Sequence, residues 1–180
     1  MHRLIFIPLL LAPLIFGNHA AQAADPETAE PRGFAAFVGT WTLKDDLFRQ
    51  VWDGETVETL TIPNHITVCR SVTTTSSLSC TVDAGGLQGQ IFWVADDERH
   101  TLQHLSHFGE RRMGVGTGTV SAAGDLENRI VFSDEPEGTY RIYEYDWVGE
   151  DEYTMMSRQY GEDGDPTGNW YGGSFVRIDR

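Results

Sequence analysis

From Gly39 onward, the chain reads as strands separated by turn signals every eight to twelve residues, and no other feature restricts its fold as much. The turn-forming pairs among them are Asp53-Gly54, Pro63-Asn64, Gly85-Gly86, Asp96-Asp97, Gly124-Asp125, Glu137-Gly138 and Asp163-Gly164. Such residues tolerate left-handed backbone or hydrogen-bond their own main chain, so they end strands. The text between them predicts strands over Gly39–Lys44, Phe48–Trp52, Val57–Ile62, His65–Val72, Ser77–Val82 and Leu87–Val94. Six more are expected over His100–Phe108, Arg112–Val120, Arg129–Phe132, Thr139–Val148, Tyr153–Tyr160 and Tyr171–Ile178. Helical periodicity never exceeds one turn, and Gly33–Val38 predicts that turn. Short strands at this spacing make an antiparallel barrel or sandwich.

Alternation along a strand divides its residues between two faces. In Thr139–Trp147, one face carries Arg141, Tyr143, Tyr145 and Trp147, and the other carries Tyr140, Ile142, Glu144 and Asp146. Three aromatics turned outward would leave an apolar patch on a very acidic surface, so their face is assigned to the interior. In His100–Phe108, the face with His100, Leu102, His104, Ser106 and Phe108 is assigned there too. Neither strand has a purely apolar face, which suits a barrel with a polar-lined interior better than a dry sandwich core.

The two cysteines supply a register. A hairpin turning about Thr74-Thr75 sets Cys69 directly opposite Cys80, where a cross-strand disulfide can form. Closing so short a loop would stabilise the fold by about 3 kcal/mol. Three glycines, Gly114, Gly116 and Gly118, fall on one strand face and leave it bare, a device that shapes the barrel or makes room inside it. Their spacing is not that of a nucleotide-binding loop, and no helix follows.

Arg3, the apolar run Leu4–Phe16 and the small-x-small stretch Ala21–Ala23 have the layout of an export signal. The run is too short for a membrane-spanning helix, which needs roughly 20 apolar residues, and it contains Pro8 and Pro13. No cysteine follows the cleavage position to take a lipid. The expected organisation is a signal peptide over 1–23, a flexible lead-in over 24–32 and one β-barrel domain over 33–180. The mature protein is then periplasmic or secreted, with no membrane insertion, in a compartment that allows a disulfide. The full chain carries a net charge of −14, and losing Arg3 makes it −15, which repels phosphate backbones and argues against nucleic acid as a partner.

Phe37-Val38-Gly39-Thr40-Trp41 resembles the G-x-W opening of lipocalin-like barrels, and Arg177 resembles the arginine that those proteins pack on that tryptophan. Gly138-Thr139-Tyr140-Arg141 and Ser157-Arg158-Gln159-Tyr160-Gly161-Glu162-Asp163-Gly164 extend the resemblance to a bacterial family of exported barrels of unknown function. The resemblance implies an all-β, antiparallel up-and-down barrel with a short N-terminal helical turn. It also implies a ligand-sized interior, with Trp41 and Arg177 closing one end.

No G-x-S-x-G, H-E-x-x-H or Ser-His-Asp constellation is visible. The leading expectation is therefore a non-enzymatic barrel binding a small, partly apolar ligand. Its lumen candidates are Tyr143, Tyr145, Trp147, Arg141, His100 and His104. A lyase or isomerase using Glu144 or a lumen histidine is the first alternative. An envelope protein acting through its outer surface is another. His100 and His104 lie about 14 Å apart along one strand, too far to share a metal, and no metal site is expected. Either histidine alone could serve as an axial haem ligand, the one cofactor that remains an alternative. Asp96-Asp97-Glu98 reads as a solvated turn.

Overall fold

The computed structural model describes residues 34–72, 76–96 and 98–178. The expected signal peptide and lead-in lie outside the described residues, as do the Thr74-Thr75 turn and Asp97. A 3-10 turn, Phe34–Phe37, precedes twelve strands. These are β1 (Gly39–Leu43), β2 (Leu47–Val51), β3 (Glu58–Thr61), β4 (Ile66–Ser71), β5 (Ser77–Ala84) and β6 (Leu87–Asp96). They continue as β7 (Thr101–Phe108), β8 (Arg112–Val120), β9 (Leu126–Phe132), β10 (Tyr140–Gly149), β11 (Glu152–Tyr160) and β12 (Pro166–Arg177).

Every expected strand is present, and two start well before the sequence suggests. β12 begins at Pro166, because a proline is tolerated at the first residue of a strand. β9 begins at Leu126, because alternation buries Leu126 and Asn128 on the same face as Ile130 and Phe132. Hairpins join β4 through β12 in order, and β1 closes the ring by pairing with both β4 and β12. The result is a closed antiparallel barrel of ten strands. β2 and β3 continue the β1–β4 hairpin above a break, where Asp45 and Asp46 adopt φ of 57° and 58°. Beyond that break β2 stays paired to β12, and β3 forms the free end of the sheet.

Cys69 pairs with Cys80 in the register read from the sequence, and the two form a disulfide whose buried sulfurs face the core. The 3-10 turn plugs one end of the barrel. Phe37 packs against Trp93, Tyr145, Trp147 and Tyr153 with ring centroids 4.7–6.1 Å apart. Trp41 is fully buried, donates its indole hydrogen to the Phe37 carbonyl and lies 4.2 Å beneath the Arg177 guanidinium. Arg177 in turn donates to the Ala36 and Val38 carbonyls, tying the last strand to the plug.

The bare strip on β8 is filled by its neighbours and makes no room in the lumen. A Cβ at Gly114 would lie 2.6 Å from Phe132 and Ser106 Oγ, and one at Gly118 would meet the Glu127 carbonyl and the Asn128 amide. On the outer wall, Phe92, Leu105, Val115 and Val131 pair across β6, β7, β8 and β9 as one exposed apolar row.

Candidate functional site

Above the aromatic plug, the interior is built from polar side chains on β7 through β12. Arg141, Tyr143, Tyr145 and Trp147 share the inward face of β10, with Arg141 0 % exposed. Tyr143 and Tyr145 stack at 6.3 Å, and the Tyr143 hydroxyl is hydrogen-bonded to that of Tyr171 on β12. Burial raises the pKa of both Tyr143 and Tyr145 well above the ordinary phenol value, so both stay protonated. Trp147, half-buried beside the plug, donates its indole hydrogen to the Gly124 carbonyl.

The charge of Arg141 is balanced by a residue that sequence reading missed. Glu135, in the β9–β10 loop, accepts from Arg141 Nε at 2.6 Å, Arg112 Nη2 at 2.8 Å and Gln159 Nε2 at 3.1 Å. Burial pushes its pKa up, but these donors outweigh burial and hold the carboxyl below its usual value. In sequence, Glu135 sits in the stretch Ser133-Asp134-Glu135-Pro136-Glu137-Gly138, which has the composition of a solvated turn.

The two histidine candidates part company. His100 does not share the lumen face: it closes the β6–β7 turn, exposed, with a left-handed φ of 52°. His104 is buried and accepts a 2.7 Å hydrogen bond at Nδ1 from the indole N–H of Trp93. An indole only donates, so the imidazole proton must sit on Nε2. Metal ligation through Nε2 needs that proton on Nδ1 instead, so this arrangement opposes the haem reading. Glu144 lies on the outer wall, paired with Arg158.

Among the described residues, five buried side chains keep polar atoms with no protein partner. One is His65 Nδ1, beside Phe175; the other four are His104 Nε2, Ser106 Oγ, both amide atoms of Asn128, and Arg141 Nη2. All four residues are at most 5 % exposed. They lie on β7, β9 and β10, around the glycine strip of β8. Asn128 escaped the sequence reading because it precedes the expected start of β9 and so received no face. Alternation along β6 would have pointed to Trp93. A depression of about 660 Å³ opens elsewhere, on the outer wall beside Thr81, Gln90 and His107.

A closed ten-stranded antiparallel barrel, plugged by a short turn beneath a G-x-W strand, has the lipocalin-like fold. No family model matches the chain, and no curated protein matches it. Among solved structures it is similar to the S-type phycobiliprotein lyase CPES of Guillardia theta. That likeness has 13 % identity and a TM-score of 0.52, and covers 82 % of this chain and 91 % of that one. Two further likenesses superpose too loosely to add to the fold. One is to EF1p2_mFAP2b bound to DFHBI, at 13 % identity and TM-score 0.39, covering 83 % of this chain and 99 % of that one. The other is to a DUF3598 protein of unknown function from Nostoc punctiforme, at 9 % identity and TM-score 0.21, with coverage of 83 % and 99 %.

Proposed function

We propose that this chain is an exported barrel that holds a small, partly apolar molecule in its interior and does not catalyse a reaction. The observation that carries this reading is the set of buried, unpartnered polar atoms above an aromatic floor. Each such atom costs on the order of 1–3 kcal/mol when nothing satisfies it, and a bound molecule with matching groups removes that cost. Export draws on the signal-like N-terminus and on the disulfide; among the described residues, no helix is long and apolar enough to cross a membrane.

The chemistry of the interior favours binding over catalysis. A lyase or isomerase needs a base facing its substrate. Glu135 is held by three donors, Glu144 faces outward, and the one unpartnered nitrogen of His104 carries its proton. The test is to titrate the protein with the uncharged probe N-phenyl-1-naphthylamine while following tryptophan emission. One probe should bind per barrel and quench Trp93 and Trp147, and Tyr145→Arg should abolish the effect. A second reading, an envelope protein acting through its outer surface, draws on the row of Phe92, Leu105, Val115 and Val131. It predicts that probe binding survives Tyr145→Arg and is lost in Leu105→Ser.

A further inference from the structure

We infer that the interior recognises an anionic oxygen group, such as a carboxylate or sulfonate, on an otherwise apolar, ring-bearing molecule. This rests on the lumen-binding reading and adds the class of ligand. The proton on His104 Nε2 makes that atom a donor, because the Trp93 indole fills Nδ1. Arg141 Nη2 can only donate, and so can Asn128 Nδ2. Around the glycine strip, these three face one atom that can only accept, Asn128 Oδ1, while Ser106 Oγ can do either; His65 Nδ1 lies apart from them, beside Phe175 just before β4. The Tyr143–Tyr171 pair adds to the excess, since the hydroxyl that accepts keeps a hydrogen to give.

Charge points the same way. Arg141 and Arg112 place two positive charges around the single carboxylate of Glu135. Arg112 shares its charge between Glu135 and the exposed Asp134, so the charges match in number, but Arg141 shares Glu135 with Arg112 and keeps one edge of its guanidinium free and fully buried. Donors in excess and a buried positive charge together select an oxyanion, whose hydrogen bonds to charged donors are about twice as strong as neutral ones. The rest of the molecule would lie against the Tyr143 and Tyr145 rings and Trp93.

The experiment compares two probes with the same ring skeleton, 8-anilinonaphthalene-1-sulfonate and uncharged N-phenyl-1-naphthylamine. Both should bind one per barrel, the sulfonate tighter by about tenfold or more, although the protein as a whole is acidic. Asn128→Leu and Arg141→Met should each bring the sulfonate down to the affinity of the neutral probe and leave that probe unchanged. Asn128→Leu breaks no side-chain hydrogen bond within the protein, so it tests the inference even if Arg141→Met fails to fold. Equal affinity of the two probes overturns the inference and leaves lumen binding standing. A sulfonate preference that survives both substitutions overturns it as well. Binding of neither probe overturns the lumen reading itself.

Discussion

Burial holds the His104 imidazole at a pKa of about 4, against an ordinary 6.5, and this makes the protein sensitive to acid at this residue. As pH falls below 6.5, the unfolded chain takes up a proton at this position and the folded chain does not until about pH 4. The unfolded state binds more protons in that window, so stability must fall as pH falls through it, by at most about 3 kcal/mol. His65, also shifted down by burial, acts in the same direction. Urea midpoints measured between pH 7.5 and pH 4 should show this loss. His104→Gln, which keeps an acceptor for the Trp93 indole, should flatten the profile. Glu135 is the second decisive residue. Glu135→Ala leaves Arg141 fully buried without its carboxylate, and should cost about 3–5 kcal/mol in urea unfolding. No sequence pattern marks Glu135, although alternation placed its partner Arg141 inside, because an ion pair between a loop and two strands exists only after those strands have paired.

The strands were legible because their signal is local: alternation within each strand and turn chemistry between strands. The Cys69–Cys80 pairing was legible for the same reason, since one hairpin turn sets its register. β8 was legible only in part. Sequence places Gly114, Gly116 and Gly118 on one bare face, but what covers that face depends on β7 and β9. At Gly118 the covering atoms are backbone, the Glu127 carbonyl and the Asn128 Cα, and they cannot swing away from a new methyl group. Gly118→Ala should therefore destabilise the protein by about 1–3 kcal/mol by forcing β8 and β9 apart. Val115→Ala, on the exposed face of the same strand, should stay within about 0.5 kcal/mol, and thermal unfolding of the pair checks the contrast.

In the whole molecule the division of labour runs along the barrel, with an aromatic plug at one end and a set of buried charged and hydrogen-bonding side chains beyond it. The plug depends on Phe37, which contacts rings from three different strands and is 1 % exposed. Phe37→Ala should cost about 3–5 kcal/mol through the cavity it leaves. Near-ultraviolet circular dichroism should weaken with it, because the tryptophans around the cavity lose their fixed packing. A variant that unfolds like wild type would show that the 3-10 turn merely caps the barrel.

Alternation, turn spacing and the cysteine register by themselves determined an all-β antiparallel barrel, its strands, its disulfide and the inward face of β10. Each is a matter of neighbours in sequence or across one hairpin, where backbone geometry leaves few choices. Tertiary structure alone decided that His100 closes a turn and does not share the inward face of His104. It also decided that Glu135 reaches in from a loop to neutralise Arg141, and that Asn128 lies over the glycine strip. Those outcomes depend on contacts between loops and neighbouring strands, up to 24 positions apart, that alternation within one strand does not encode.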